Sequence, residues 1–272
     1  KTGLGELEVV APATHDTASA VAAIPTAHSG EANWAYISSG TWSLIGVEVK
    51  NAILTTRAMD LNVTNEGGID GTYRLLKNVM GLWLLQQCKR SFDAKSAAHD
   101  YADLVRLAEN AAPLRSLIDP DNHRFLNPSD MVEAIEEYCR ETAQPVPQTE
   151  GELVRCVLES LALKYRMVLC ELEQLTGTPI DVLHIVGGGS RNMLLNRFTA
   201  SACGLPVLAG PVEATTLGNL LVQIRARGEF KSLAELRQIV QTSSEIQHIA
   251  PEYSSAWDEA YKKFQALLSS SK

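Results

Sequence analysis

One short stretch decides the fold, VLHIVGGGSRN at residues 182–192. Its apolar run has the length of a buried strand, and the residues from 191 to 202 predict a helix after the three glycines. A strand, a glycine turn and a helix in this order let backbone N–H groups approach an anion or a ribose closely. The stretch therefore predicts an α/β layer with a nucleotide near Gly188 and Gly189. The same glycines also fit a tight turn without a ligand, and the pattern G-x-G-x-x-G is incomplete because Asn192 holds its last position.

Regular elements are predicted on both sides of this stretch. Apolar residues recur every three or four positions from 152 to 176 and stop at Gly177, which predicts a long core helix. Strands that alternate with helices predict one α/β domain over residues 1–272, with a helical insertion at about 95–150. The other predicted strands cover residues 6–10, 35–38, 43–49 and 206–208. One further helix is predicted directly after residue 16. Another is predicted to begin at Asn78, with Val79, Leu82, Trp83 and Gln86 on one stripe. The remaining predicted helices cover residues 98–109, 131–140, 216–227, 232–242 and 254–268.

The composition excludes several classes of protein. The chain has 272 residues, of which 45% are hydrophobic and 21% are charged, so it can bury a core. A net charge of −8 would repel a phosphate backbone, which argues against nucleic acid as a partner. No apolar run reaches the length of a membrane span, and the first residues carry no secretory h-region, so we expect a cytoplasmic protein without a membrane partner. The chain begins at Lys1 without an initiator Met, so we expect a fragment.

The five cysteines form no C-x-x-C pair, so their spacing predicts neither a zinc site nor a redox motif. Cys139 and Cys156 flank the proline-rich turn at residues 144–147, which could bring the two thiols together. A reducing cytosol argues against a stable disulfide between them. The histidines show no metal-ligand spacing, and no metal site is predicted.

Two further segments could carry chemistry. The turn SSGTWS at residues 38–43 joins two predicted strands and is rich in hydroxyls, so it could present donors to a phosphate or be a plain hairpin. The loop after Pro12 carries His15 and Asp16, and the carboxylate could be a general base, a metal ligand or the cap of the next helix. An Asp or Thr at the loop end, Asp16 or Thr17, is the expected cap.

Together these segments resemble the C-terminal half of the FGGY carbohydrate kinases. The resemblance rests on six blocks that span nearly the whole chain: HDTASAV at 15–21, SSGTWSL at 38–44, TNEGG at 64–68, LKNVMGLWLLQ at 76–86, HIVGGG at 184–189 and GPVEATTLGN at 210–219. It implies the actin-like ATPase (ribonuclease H-like) fold, a mixed sheet flanked by helices. Because proteins of this family are close to twice this length, it also implies that an N-terminal sugar-binding domain is missing from this chain.

The resemblance further implies that MgATP, held between two domains, phosphorylates the 1-hydroxyl of a deoxyketose in sugar catabolism. Kinases of other ketoses and a non-catalytic actin-like nucleotide-binding module are the alternatives. The implied cofactors are ATP and Mg²⁺, and no protein ligand for the metal is recognisable. At the sugar, the resemblance implies Asp16 as the catalytic base with His15 beside it. At the nucleotide, it implies Gly40 and Thr41 at the phosphates, Gly188 and Gly189 at the adenosine, and Asn192 at the adenine. Asn78 and Gln86 would reach toward substrate and nucleotide from the helix of Trp83.

Overall fold

The computed structural model describes residues 5, 9–95 and 99–270. Its strands are β1 (Trp34–Ser39), β2 (Trp42–Val49), β3 (Thr64–Gly67), β4 (Tyr73–Met80), β5 (Val182–Val186), β6 (Val207–Ala209) and β7 (Gln247–Ile249). They form one sheet in the order β3-β4-β2-β1-β5-β6-β7. Strand β1 pairs antiparallel with β2 and parallel with β5, so the sheet is mixed, as predicted.

Helices cover both faces of this sheet. They are α1 (Asp16–Ala22), α2 (Thr56–Asp60), α3 (Trp83–Lys95), α4 (Tyr101–Asn110), α5 (Met131–Glu141), α6 (Glu150–Thr176), α7 (Met193–Cys203), α8 (Ala214–Ala226), α9 (Leu233–Ser243) and α10 (Ser255–Ser270). The larger core joins Ala35 and Ile37 of β1 to α3–α7 and α10, whereas the smaller core joins Trp34 and Tyr36 to α1, α8 and α9. Because successive strand residues point to opposite faces, β1 serves both cores. The predicted mixed sheet flanked by helices is confirmed.

The longest helix confirms the strongest local prediction. Thr149 caps the start of α6 by accepting a hydrogen bond from Glu152 N, and Gly177 ends the helix in the left-handed region with φ 67°. The segment at 95–150, predicted as a helical insertion, contains α4 and α5. Among the helices that the structure describes, none is both long enough and apolar enough to cross a membrane.

One predicted helix start is wrong. Asn78 lies on β4, opposite Leu44 of β2, and the helix begins only at Trp83. Strand and helix are separated at Gly81, where an added Cβ would lie 2.8 Å from the carbonyl carbon of Trp42. At this point the backbone passes so close to the start of β2 that a side chain would not fit. Of the predicted helical stripe, Val79 therefore belongs to the strand, whereas Trp83 and Gln86 do lie on the helix. Strands β3, β4 and β7 had no sequence prediction.

Two smaller expectations concern the ends of elements and the thiols. Of the predicted strand at 6–10, residues 6–8 lie outside the described residues, and residues 9 and 10 are not in a strand. The helix predicted at 98–109 runs from Tyr101 to Asn110, and residue 98 lies outside the described residues.

The turn at 144–147 does bring Cys139 and Cys156 within hydrogen-bond contact, and both thiols are free, as are the other three.

Candidate active site

A rigid hairpin lies at the centre of the candidate site. Gly40 and Thr41 connect β1 to β2, and Gly40 N donates to Trp42 O at 2.9 Å. Both hairpin carbonyls accept hydrogen bonds from the segment that leads into α3: Gly40 O from Leu82 N at 3.0 Å, and Thr41 O from Gly81 N at 3.1 Å and Trp83 N at 3.0 Å. Backbone contacts of this kind fix the hairpin before any ligand arrives.

Buried hydroxyls support the hairpin from below. Ser43 Oγ and the hydroxyl of Tyr165, on α6, are 2.7 Å apart. Burial raises the pKa of Tyr165 above its ordinary value, so this hydroxyl keeps its proton. The long helix α6 thus helps to hold the hairpin in place from inside the core. Sequence reasoning did not find this contact, because nothing in the local pattern of α6 marks Tyr165 apart from its other core residues.

A first cleft, here called the acidic cleft, opens on one side of the hairpin. Its volume is about 490 Å³, and it is lined by His15, Asp16, Thr17, Ser38, Ser39, Gly40, Thr41, Trp42, Leu44 and Asn78. Asn78 enters it from β4 and not from the helix of Trp83, which corrects the predicted placement. The cleft therefore brings together the three residues that were predicted at the sugar, Asp16, His15 and Asn78.

Asp16 is accessible from this cleft. Its side chain is 75% exposed, and its Oδ1 accepts from Thr17 N at 2.6 Å. His15 caps α1, with Nδ1 3.2 Å from Thr17 N and 2.9 Å from Asp16 Oδ1. Nδ1 accepts the Thr17 N–H when it carries no proton and donates to Asp16 when it does. The expected cap, Asp16 or Thr17, is thus corrected to His15, since the helix starts one residue before Thr17. The carboxylate is held in place at one oxygen and remains open to a ligand.

A second cleft, here called the glycine cleft, opens on the other side of the hairpin. Its volume is about 740 Å³, and it shares Gly40 and Thr41 with the acidic cleft. The other predicted residues that line it are Gln86, Gly188, Gly189 and Asn192. Two of its lining residues, Thr41 and Gln86, form a 3.4 Å hydrogen bond between Thr41 Oγ1 and the Gln86 amide. Every residue that the resemblance placed at the site therefore lines one of two clefts that meet at the hairpin.

The three glycines of the turn do different things. Gly187 has φ 85°, and a Cβ there would lie 2.9 Å from Ser39 O. A Cβ at Gly189 would overlap Ser39 Oγ and lie 2.7 Å from Ser39 Cβ. At Gly188 a Cβ would meet nothing within 4 Å, so this residue faces open space in the cleft. Two glycines are required by packing against β1, and one is free to face a ligand.

The turn continues into α7 later than predicted. Residues Gly188–Arg191 form one 3-10 turn, and α7 begins at Met193 rather than at residue 191. The delay arises because Asn192 is the helix cap, with its side-chain oxygen accepting from Leu195 N at 3.0 Å. The Asn192 side-chain NH₂ group remains for the cleft.

Sequence reasoning missed one wall of the glycine cleft. Helix α4 supplies five lining residues: Tyr101, Ala102, Val105, Arg106 and Glu109. The other lining residues that were not predicted at the site are Leu82, Leu85, Arg191 and Met193. The apolar spacing of α4 was visible in the sequence, but nothing local indicated that the helix folds back over the glycine turn. The wall gives the cleft an apolar surface of the kind that accepts a planar base.

No group of three or more metal-ligating side chains is found in the part of the chain that the structure describes. Asp16 is the carboxylate in the lining of the acidic cleft. In the lining of the glycine cleft, Glu109 forms an ion pair with Arg197. The acidic cleft thus combines one accessible carboxylate with the hydroxyl of Thr41.

Comparison with known proteins gives consistent matches. The model of the C-terminal domain of the FGGY family of carbohydrate kinases matches residues 35–227. A rhamnulokinase of Bacteroides thetaiotaomicron is 50% identical over 264 residues, which are 97% of this chain and 53% of that protein. A rhamnulokinase of Bacillus subtilis is 46% identical over 90% of this chain and 49% of its own length. The chain spans about half the length of these relatives.

Solved structures match in fold. The xylulose kinase of Rhodospirillum rubrum superposes with a TM-score of 0.67 at 19% identity, over 93% of this chain and 49% of that one. The glycerol kinase of Plasmodium falciparum, solved with ADP, superposes with a TM-score of 0.62 at 15% identity, over 94% of this chain and 49% of that one. At these identities the likeness shows the fold alone, and it is the fold that the sequence predicted.

Proposed function

The chain belongs to the FGGY family of carbohydrate kinases, and we propose that it is the nucleotide-binding half of a rhamnulokinase, which transfers a phosphoryl group from ATP to the 1-hydroxyl of L-rhamnulose. One observation carries the proposal: the acidic cleft and the glycine cleft meet at Gly40 and Thr41. A phosphoryl transfer needs an acceptor on one side of the phosphate and a nucleotide on the other, nearly in line. The identities of 50% and 46% with two rhamnulokinases support the choice of sugar.

In this proposal the nucleotide occupies the glycine cleft. Gly188 lets the backbone approach the adenosine, Asn192 offers its amide to the adenine, and Gln86 lies beside the phosphates. The terminal phosphate reaches the hairpin, where the Thr41 hydroxyl can donate to it. Because hydrogen bonds from residues 81–83 already fix the hairpin carbonyls, little reorganisation is needed as charge develops.

The sugar occupies the acidic cleft. Asp16 accepts the proton of the sugar 1-hydroxyl as that oxygen attacks the γ-phosphorus, and the bond from the γ-phosphorus to the bridging oxygen breaks to release ADP. His15 lies beside the Asp16 carboxylate, with Nδ1 2.9 Å from Oδ1, and Asn78 offers an amide to the sugar hydroxyls. One accessible carboxylate is enough for this chemistry, since positioning and charge stabilisation supply most of the rate.

Mg²⁺ enters the reaction as part of the substrate, bound to the nucleotide phosphates. The ion prefers oxygen ligands and keeps several waters, so it needs few contacts from the protein. Oxygen donors of the fitting kind, the Asp16 carboxylate and the Thr41 hydroxyl, line the acidic cleft at the hairpin. When bound, the ion would neutralise charge on the transferred phosphoryl group.

A second domain completes the site in this proposal. The relatives are about twice as long as this chain, and both clefts are open, so an N-terminal sugar-binding domain would close over them. We also place the reaction in the cytoplasm, where ATP is available; the five free thiols support a reducing compartment.

The test is a coupled assay of ADP release from the chain joined to that N-terminal half. L-rhamnulose, a second deoxyketose and a ketopentose are compared at equal concentration. We expect kcat/KM to be highest for L-rhamnulose. Preference for another ketose would reassign the substrate within the family, and nucleotide binding without any sugar-dependent turnover would identify a non-catalytic module instead.

A further inference from the structure

The helix that carries Asp16 is packed against α8 at backbone distance. A Cβ added at Gly218 would overlap Ser19 O and lie 2.7 Å from the Ser19 carbonyl carbon. Residues 17–22 of α1 are all buried, and four of the six are Ala or Ser. So close a contact between two helices leaves α1 little freedom to slide or tilt.

A side chain of α8 also holds the backbone of Asp16 itself. Thr215 Oγ1 donates to Asp16 O at 3.3 Å, close to the Cα that carries the carboxylate. Thr216, the next residue, is also exposed, and no side-chain hydrogen bond of Thr216 is found in the described structure. The two threonines therefore differ in this contact.

The residues that lead into α8 are anchored to the glycine turn. Gly187 N donates to Pro211 O at 3.2 Å, and Gly210 N donates to Ile185 O at 2.8 Å. Residues 210–218, here called the connecting segment, thus contact the start of the glycine turn at one end and α1 at the other. They join the glycine turn to the helix of Asp16 by a route that does not pass through the hairpin.

We propose that Thr215 is a positioning residue for Asp16, and that the connecting segment fixes the distance between the carboxylate and the bound nucleotide. The proposal rests on the proposed function, because it takes Asp16 as the base. Displacements of about 1 Å at a reacting group can lower a rate about 10²-fold, so a contact that fixes Asp16 O matters although it touches no substrate.

The test compares Thr215→Val, Thr215→Ser and Thr216→Val in the chain joined to its N-terminal half. We expect Thr215→Val to lower kcat about threefold to tenfold, as for loss of one hydrogen bond, with KM for ATP changed less than about twofold. Thr215→Ser keeps the hydroxyl and should restore kcat. Thr216→Val makes the same chemical change without the contact and should leave kcat unchanged.

Amide hydrogen exchange of residues 17–21 provides a readout that needs no activity. We expect exchange there to quicken about threefold in Thr215→Val and to stay unchanged in Thr216→Val. Equal loss of kcat in both valine variants, or a rise in KM for ATP as large as the fall in kcat, would overturn the assignment. If the parent protein phosphorylates no sugar, the proposed function fails, and the exchange measurement still decides whether Thr215 holds α1.

A larger change at the same interface gives a second, independent measurement. Gly218→Ala must push α8 away from Ser19, so we expect kcat to fall about 10²-fold with correctly folded protein. Unchanged kcat in folded Gly218→Ala would overturn the role of the connecting segment.

Discussion

Replacing Gly188 by Val separates ligand contact from folding at the glycine turn. A Cβ at this position meets nothing within 4 Å, and its φ lies outside the left-handed region, so the fold accepts the side chain. The added atoms then occupy the glycine cleft where the nucleotide backbone contact is proposed. We expect the Kd for ATP to rise about tenfold to a hundredfold, which corresponds to about 1.4–2.8 kcal/mol, while the melting temperature stays within about 2 °C.

Two matched variants control this prediction. Gly189→Ala adds one carbon that overlaps Ser39 Oγ, so it should lower the free energy of unfolding by about 1–3 kcal/mol. Gly67→Val, on edge strand β3, also meets nothing within 4 Å but lies away from both clefts, so it should change neither quantity. Isothermal titration calorimetry gives the Kd, and urea unfolding gives the stability.

The reasoning would be refuted by a specific pattern of results. Unchanged ATP affinity in folded Gly188→Val would remove the turn from the nucleotide site. A loss of stability in Gly188→Val as large as that in Gly189→Ala would show that all three glycines serve packing alone.

Three further outcomes are expected. Asp16→Asn should lower kcat about 10²–10⁴-fold and leave the Kd for ATP unchanged, as measured by kinetics and calorimetry, whereas parallel losses would make Asp16 structural. Residues 1–272 on their own should bind ATP weakly in calorimetry and show no sugar-dependent ADP release, because in the proposed function a second domain must close over both clefts. Burial, and next the charge of Arg237, lower the pKa of His184 from 6.5 to about 3, so between these values the unfolded chain binds a proton that the folded chain does not. The free energy of unfolding should therefore fall as the pH falls below about 6.5, by up to about 1.4 kcal/mol per pH unit, and urea unfolding of His184→Gln should lack that part of the slope.

The elements that could be predicted from the sequence are those whose signals are local. The apolar period and Gly177 predict helix α6, and the short apolar run before the glycines predicts β5. Strand β4 was not predicted, because its last residues were assigned to the helix that follows, and only the pairing with β2 shows that they belong to the sheet. The position of α4 over the glycine cleft could not be predicted either, because it depends on contacts between segments that are distant in the sequence.

The residues predicted at the site line the two clefts, and their arrangement follows from sheet register. In the parallel pair of β1 and β5, Ser38 stands opposite Val186, so the two strands end at the same edge of the sheet. The hairpin that follows β1 and the glycine turn that follows β5 must then lie side by side, as loops do at the carboxyl ends of parallel strands. A register slip of one residue would turn the inward side chains of β5 to the other core and move the turn away from Ser39. Burial on both faces of the sheet forbids that slip, so the packing of the two cores fixes where the two clefts meet.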